Sequence, residues 1–176
     1  QQEYFSLSTA DSKAVFQRQR KGLLFTNIER PINLFQRALW KTDFMYAPYS
    51  PDFEKLEHFH PYIEDDVIRL PDIYEDLNGV SACKRYMALV AHLVAHHQFT
   101  TKIVADNVSP QQRFFTEVFE DARVEHLAMQ EYPGLKSLWL SLIPLVDEFD
   151  CDDKHQSCLR HRAIMLTRAL IDDDHP

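Results

Sequence analysis

The chain predicts a mainly α fold, a helical domain carrying one small β-hairpin at about residues 62–70. Three observations carry that expectation. Glycine occurs three times in 176 residues while hydrophobic residues make up 45% and Phe alone occurs twelve times, a balance that suits packed helices better than turn-rich sheets. Apolar residues recur at spacings of three and four along several stretches, and capping signals bracket the clearest of them.

Within "STADSKAVFQRQRKGLLF", Ser8, Thr9 or Asp11 is placed to cap a short amphipathic helix ending near Gly22. Pro31 then suits the first turn of a helix through "PINLFQRALWKTDFMY", with Ile32, Phe35, Leu39 and Met45 at helical spacing. The three prolines of "APYSPDFEKLEHFHP" read as a surface connection. Residues 1–60 are therefore expected to be an N-terminal helical segment and connection, and residues 61–176 a hairpin plus helical core on which that segment packs as one domain. Two β-prone runs, Tyr62-Ile63 and Val67 to Leu70, flank the acidic turn Glu64-Asp65-Asp66 and form the predicted hairpin, closed by Pro71.

After a loop at Asn78-Gly79, the spacing predicts a helix from about Ser81 to His97 that is apolar nearly all round and hence central. The next helix has the clearest start: Ser109 as N-cap, Pro110 in the first turn and Gln112 at the capping-box position, with Tyr132-Pro133-Gly134 as its stop. "LKSLWLSLIPLV" reads as helical, "DEFDCDDKHQS" as an acidic loop and "CLRHRAIMLTRALI" as the last helix. That acidic loop lacks the central Gly and terminal Glu of a calcium-binding hand and reads as solvated.

A formal net charge of -8 argues against nucleic acid or an anionic membrane surface as partner, since both would repel the chain. No apolar run reaches the roughly 18 residues of a bilayer span, and the opening residues lack a signal core, so the expectation is a soluble, cytoplasmic protein. The chain opens on Gln rather than Met, as a piece of a longer polypeptide would. Cys83, Cys151 and Cys158 match neither a zinc knuckle nor a CxxC motif, and reduced structural thiols are expected. No serine sits in a nucleophile elbow, and glycine is too scarce for a phosphate-cradling loop.

The chemistry concentrates in "AHLVAHHQF" and "TEVFEDARVEH". His92 and His96 lie one turn apart on one face of the central helix, with His97 turned away to the surface. On the following helix Glu117, Asp121 and Glu125 fall on one line, at the rim of its apolar face. Two histidines at i and i+4 facing carboxylates suit zinc or iron, with His92, His96, Asp121 and Glu125 as ligands and Glu117 or Glu120 as a base. A zinc hydrolase of the HExxH type would need Glu directly after the first His, where this chain has Leu93, and the ExxH pairs of a di-iron bundle are missing too. The reading favoured over a metal is a polar network in which Asp121, Glu125, the two histidines and Arg85 or Arg123 satisfy one another between packed helices. In such a network Asp121→Ala and Glu125→Ala should each cost on the order of 3 kcal/mol.

"YIEDDVIRLPD", "GVSACKRYMALVAHLVAHHQF" and "FFTEVFEDARVEHLAMQEYPGLKSLWL" together resemble the region that precedes the von Willebrand factor A domain in NorD-like and CbbO-like proteins, partners of MoxR-class AAA+ ATPases. The resemblance runs from about Tyr62 to Leu170, with "EDARVE" and "YPGLKSLW" its most specific parts, and the doubled "AHLVAHH" leans to the CbbO-like branch that serves Rubisco activation. It implies a non-enzymatic adaptor between an ATPase ring and a client enzyme of the Rubisco or nitric oxide reductase type. It also implies that the Asp-x-Ser-x-Ser metal site of the A domain lies elsewhere, because no such motif occurs in this chain.

Overall fold

A computed structural model describes residues 9, 11, 12, 15, 20–50, 60–101, 107–147, 151 and 158–172. The fold is mainly α with a few short strands. Among the described residues the order is β1 (Leu23–Leu24), a 3-10 turn (Phe25–Asn27), α1 (Glu29–Trp40), β2 (Met45–Tyr49), β3 (Tyr62–Glu64), β4 (Val67–Pro71), β5 (Ile73–Tyr74), α2 (Ala82–Phe99), α3 (Pro110–Glu131), α4 (Gly134–Leu140) and α5 (Cys158–Ile171).

The predicted hairpin is β3–β4, antiparallel with Tyr62 opposite Arg69 and Glu64 opposite Val67. Asp65 and Asp66 both take positive φ (48° and 62°), the backbone hand that lets a two-residue loop follow the twist of its strands. Aspartate tolerates that region because its short side chain hydrogen-bonds locally. Asn78-Gly79 makes a second such turn, closed by mutual backbone hydrogen bonds between Leu77 and Val80.

Three parts of the expectation need correction. The helix that starts near Pro31 ends at Trp40 instead of running to Met45, because Lys41 turns left-handed (φ 55°) and its N–H closes on the Arg37 carbonyl. The buried Gln36 then catches the returning chain, its amide donating to the Thr42 carbonyl at 2.7 Å. Second, Met45 and part of the expected connection form β2, which pairs parallel with β4 and gives a three-stranded sheet in the order β2-β4-β3. The third correction concerns the thiols: Cys151 and Cys158, expected to be reduced, are joined as a disulfide with their Cα atoms 5.8 Å apart, and Cys83 alone is free. Most of the expected helix between Ser8 and Gly22 lies outside the described residues. What is described there is a turn in which Thr9 Oγ1 accepts from the Ser12 N–H, and Arg20, whose guanidinium spans both carboxylate oxygens of Asp72 at 2.9 and 2.8 Å. Gly22 is required where it stands: a Cβ there would lie 2.6 Å from the Tyr74 carbonyl oxygen, in the β1–β5 pair.

Helix α2 starts under a double cap, Ser81 Oγ accepting from the Lys84 N–H and Asp76 from the Ala82 N–H. Its Tyr86, Val90, Ala91, Val94 and Ala95 are buried, as an apolar surface nearly all round requires. One cluster holds Phe25 and Ile32 from the N-terminal segment together with Ile68 and Leu70 of the sheet, α2, and Val124, Leu135 and Trp139 beyond it. Helix α3 begins with the predicted capping box, Ser109 and Gln112 bonding each other's backbone N–H groups reciprocally. At its end Tyr132 donates to the Leu39 carbonyl at 2.6 Å, tying α3 to α1. Trp139 of α4 donates to the Ala88 carbonyl of α2, and Arg168 of α5 to the Ile143 carbonyl. Val124 and Ala128 of α3 pack in the same cluster as the apolar residues of α2, and the polar residues of both helices meet along that seam.

Candidate functional site

His92 and His96 occupy successive turns of α2, and Asp121 and Glu125 successive turns of α3. The α2–α3 contact brings all four together in two rungs. In the inner rung His92 Nδ1 lies 2.8 Å from Glu125 Oε1, and in the outer rung His96 Nε2 lies 3.0 Å from Asp121 Oδ1. The two imidazoles meet edge to face with their centroids 4.6 Å apart. Depth differs along the seam, since the Glu125 side chain is 11% exposed and that of Asp121 45%.

Glu125 sets the state of His92. Burial alone lowers the pKa of this imidazole, but the Glu125 hydrogen bond and the charges of Glu125 and Asp121 outweigh it and leave it raised. The carboxylate accepts from Nδ1–H, so Nε2 of His92 turns to Asp121 Oδ1, 3.9 Å away.

His96 has a longer chain of partners behind it. Its Nδ1 lies 2.9 Å from Thr100 Oγ1, and that hydroxyl donates to Glu120 Oε1 at 2.7 Å. Glu120 is an acceptor only: the Arg123 hydrogen bonds hold its carboxyl down at about 2, against a smaller upward push from burial and with help from Thr100. Thr100 has one proton, spent on Glu120, so His96 Nδ1 must carry the hydrogen between the two. The sequence carries one signal for Thr100, its place four residues after His96, where the next position on the same helix face falls.

Of the two arginines expected as alternatives in the network, Arg85 turns away and Arg123 joins at one remove. Arg85 stacks its guanidinium 4.2 Å over the Tyr74 ring and donates to the Glu75 carbonyl, because that side of α2 faces the β5 segment. Arg123 reaches the seam only through Glu120 and Thr100, and its other donor goes to the Phe99 carbonyl. Glu125, expected as a ligand, lies behind His92 instead of beside the shared space. The atoms that do converge belong to His92, His96 and Asp121, one from each residue, all within 4.8 Å of one another.

These donors border a cavity of about 800 Å³ lined also by His60, Tyr62, Leu93 and Glu117. The residue after His92 is thus a largely buried hydrocarbon, Leu93, with no proton to exchange. Glu117 is exposed on the same wall, and His97 is exposed with its ring edge-on to Phe44. A smaller hollow of about 390 Å³ lies on the other side of His92 and Asp121, against Trp139 and Leu142. No described helix is long and apolar enough to cross a membrane. No protein-family model, curated protein or solved structure matches the chain.

Proposed function

We propose that the chain is a non-enzymatic adaptor domain of a von Willebrand factor A protein, working in the cytoplasm with a MoxR-class AAA+ ATPase ring to remodel or activate a client enzyme such as Rubisco. One observation supports this above the rest: the residues that carry the resemblance are occupied in fastening helices to one another. In "EDARVE", Glu125 holds His92 while Glu120 and Arg123 hold each other, Thr100 and the Phe99 carbonyl. In "YPGLKSLW", Tyr132 and Trp139 donate to carbonyls of α1 and α2, and Leu135 is buried. Residues spent this way build a rigid scaffold and leave no activated nucleophile among them. The net charge of -8 supports a partner with a basic docking face, reached faster at low salt.

The test is binding of the purified chain to a cognate MoxR-class ATPase, alone and with its client, at micromolar concentration and low salt. Saturable binding that weakens with salt is expected. Absence of binding to both overturns the reading.

A second reading, a metal-dependent hydrolase of the zincin type, draws support from the three converging donors and from Glu117, a carboxylate of the cavity wall outside that donor set, as base. Glu120 is a poor base in that reading, being ionised to low pH by Arg123. Hydrolysis of peptide substrates by the zinc-loaded chain, abolished in Glu117→Gln, would replace the adaptor reading with this one.

A further inference from the structure

We propose that His92 Nε2, His96 Nε2 and Asp121 Oδ1 form a three-ligand site for a first-row divalent cation of the zinc and iron(II) class, bridging α2 and α3. The site stands independently of the adaptor reading.

The hydrogen-bond chain behind His96 carries the argument. With Nδ1 committed to Thr100, a neutral His96 points its Nε2 lone pair at Asp121 Oδ1, an acceptor, across 3.0 Å. Two facing lone pairs repel. The arrangement needs a positive charge in that gap, either a second proton on the imidazole or a metal cation. His92 answers which, because its Nδ1 is likewise committed, to Glu125, so a neutral His92 turns its Nε2 lone pair to the same oxygen from 3.9 Å. A proton on each imidazole would set two positive charges side by side, with ring centroids 4.6 Å apart, whereas one cation satisfies both nitrogens and the carboxylate together.

The spacing and the backing groups agree with that choice. Metal–ligand bonds of about 2.0–2.1 Å in a tetrahedral site separate donor atoms by roughly 3.3 Å; Asp121 Oδ1 lies 3.0 and 3.9 Å from the two nitrogens and all three donors lie within 4.8 Å of one another, so a small inward turn of the imidazoles closes the set on a cation. A metal-binding imidazole characteristically donates its other N–H to a carboxylate or other acceptor, which fixes its tautomer and raises its basicity. Glu125 does this for His92 and the Thr100–Glu120 pair for His96. Two imidazoles with one carboxylate select a borderline first-row ion over magnesium or calcium, which prefer more oxygen donors. The cavity on the His60 and Glu117 side leaves room for water as a further ligand.

The test uses the full chain stripped with chelator and titrated with zinc chloride, followed by calorimetry and thermal melting. One equivalent should bind and raise the melting temperature, while magnesium leaves it unchanged. Asp121→Asn, at a half-exposed position that tolerates the change, should abolish stoichiometric binding without altering the metal-free melt. Glu125→Gln should weaken binding about 10- to 100-fold. His97→Ala and His126→Ala, both at exposed histidines, should bind as the parent does. Cobalt(II) loaded into the unsubstituted chain gives a readout that needs no variant: visible bands of a nitrogen and oxygen site are expected. A thiolate charge-transfer band would move the metal to Cys83 and overturn the site. So would less than one equivalent of zinc bound at tens of micromolar, or a loss in His97→Ala as large as in Asp121→Asn.

Discussion

The two faces of α2 treat polar groups in opposite ways. Toward the sheets, Tyr86 is fully buried between Phe25 and Tyr74, ring centroids 5.4 and 4.6 Å away, and its hydroxyl donates to the Pro71 carbonyl. A neutral donor meets a neutral acceptor there, and neither pH in the ordinary range nor a ligand changes the pairing. Toward α3, ionisable groups face one another at the edge of a cavity, His92 on Glu125 and His96 on Asp121. The first face is buried and uncharged, and the second is ionisable and borders solvent. One helix thus joins an ionisable seam to a buried core.

The largest expected effect breaks the first face. Tyr86→Ala should cost about 3–5 kcal/mol, as truncation of a buried aromatic does. Tyr86→Phe should cost about 1–3 kcal/mol, since it removes only the donor and leaves the Pro71 carbonyl buried without it. Urea unfolding of both variants separates packing from hydrogen bonding. Equal losses would mean that the ring contributes little.

An alkaline titration sharpens the same contrast. Burial, as the largest cause, raises the phenol pKa of Tyr46, Tyr74 and Tyr86 above 10.0; for Tyr86 the neighbouring Tyr74 and Asp72 add to the rise. A raised folded pKa means that the native state keeps protons the unfolded chain loses. The contribution to stability is therefore complete below the unfolded value near 10 and falls away as pH rises past it. Phenolate absorbance should show Tyr46 and Tyr86 silent until the chain unfolds, with Tyr74 ionising above the ordinary phenol range. Ionisation of all seven tyrosines in the native state would contradict the packing.

The two faces were not equally legible in the sequence. The central helix, its two neighbours, the hairpin and the capping box follow from local signals, apolar period and cap chemistry, that the tertiary structure reinforces. Strand β2 gave no such signal. Its "MYAPY" holds a proline and no alternation, and its pairing with β4 joins segments far apart in sequence. The stop at Lys41 was hidden because a left-handed cap usually falls to glycine and here falls to lysine. At the seam, periodicity placed His92, His96, Asp121 and Glu125 on facing stripes. Which carboxylate meets which nitrogen depends on how two helices cross and slide, and one helix's sequence does not encode that. The Cys151–Cys158 pair escaped for a related reason, since a spacing of seven residues does not show that the chain returns on itself.

Crossing geometry also splits a prediction the sequence made uniform. Glu125→Ala should cost about 1–3 kcal/mol, because it strands the His92 Nδ1–H at the deep end of the seam. Thermal melts of the metal-free chain measure it directly, and a loss no larger than that of Asp121→Ala would erase the difference between the rungs.

Asp121→Ala should show the smallest loss, under about 1 kcal/mol in metal-free protein, since a carboxylate this exposed exchanges one set of polar partners for water. The small figure is informative. Glu125 is buried and positions His92, so its loss is felt whether or not anything binds. Asp121 contributes little to the empty fold yet supplies the oxygen on which both imidazoles converge, so its removal should be nearly silent until zinc is added. A melting temperature that falls by several degrees in Asp121→Ala without metal would place Asp121 with Glu125 as a support of the helix pair and return the seam to a structural role.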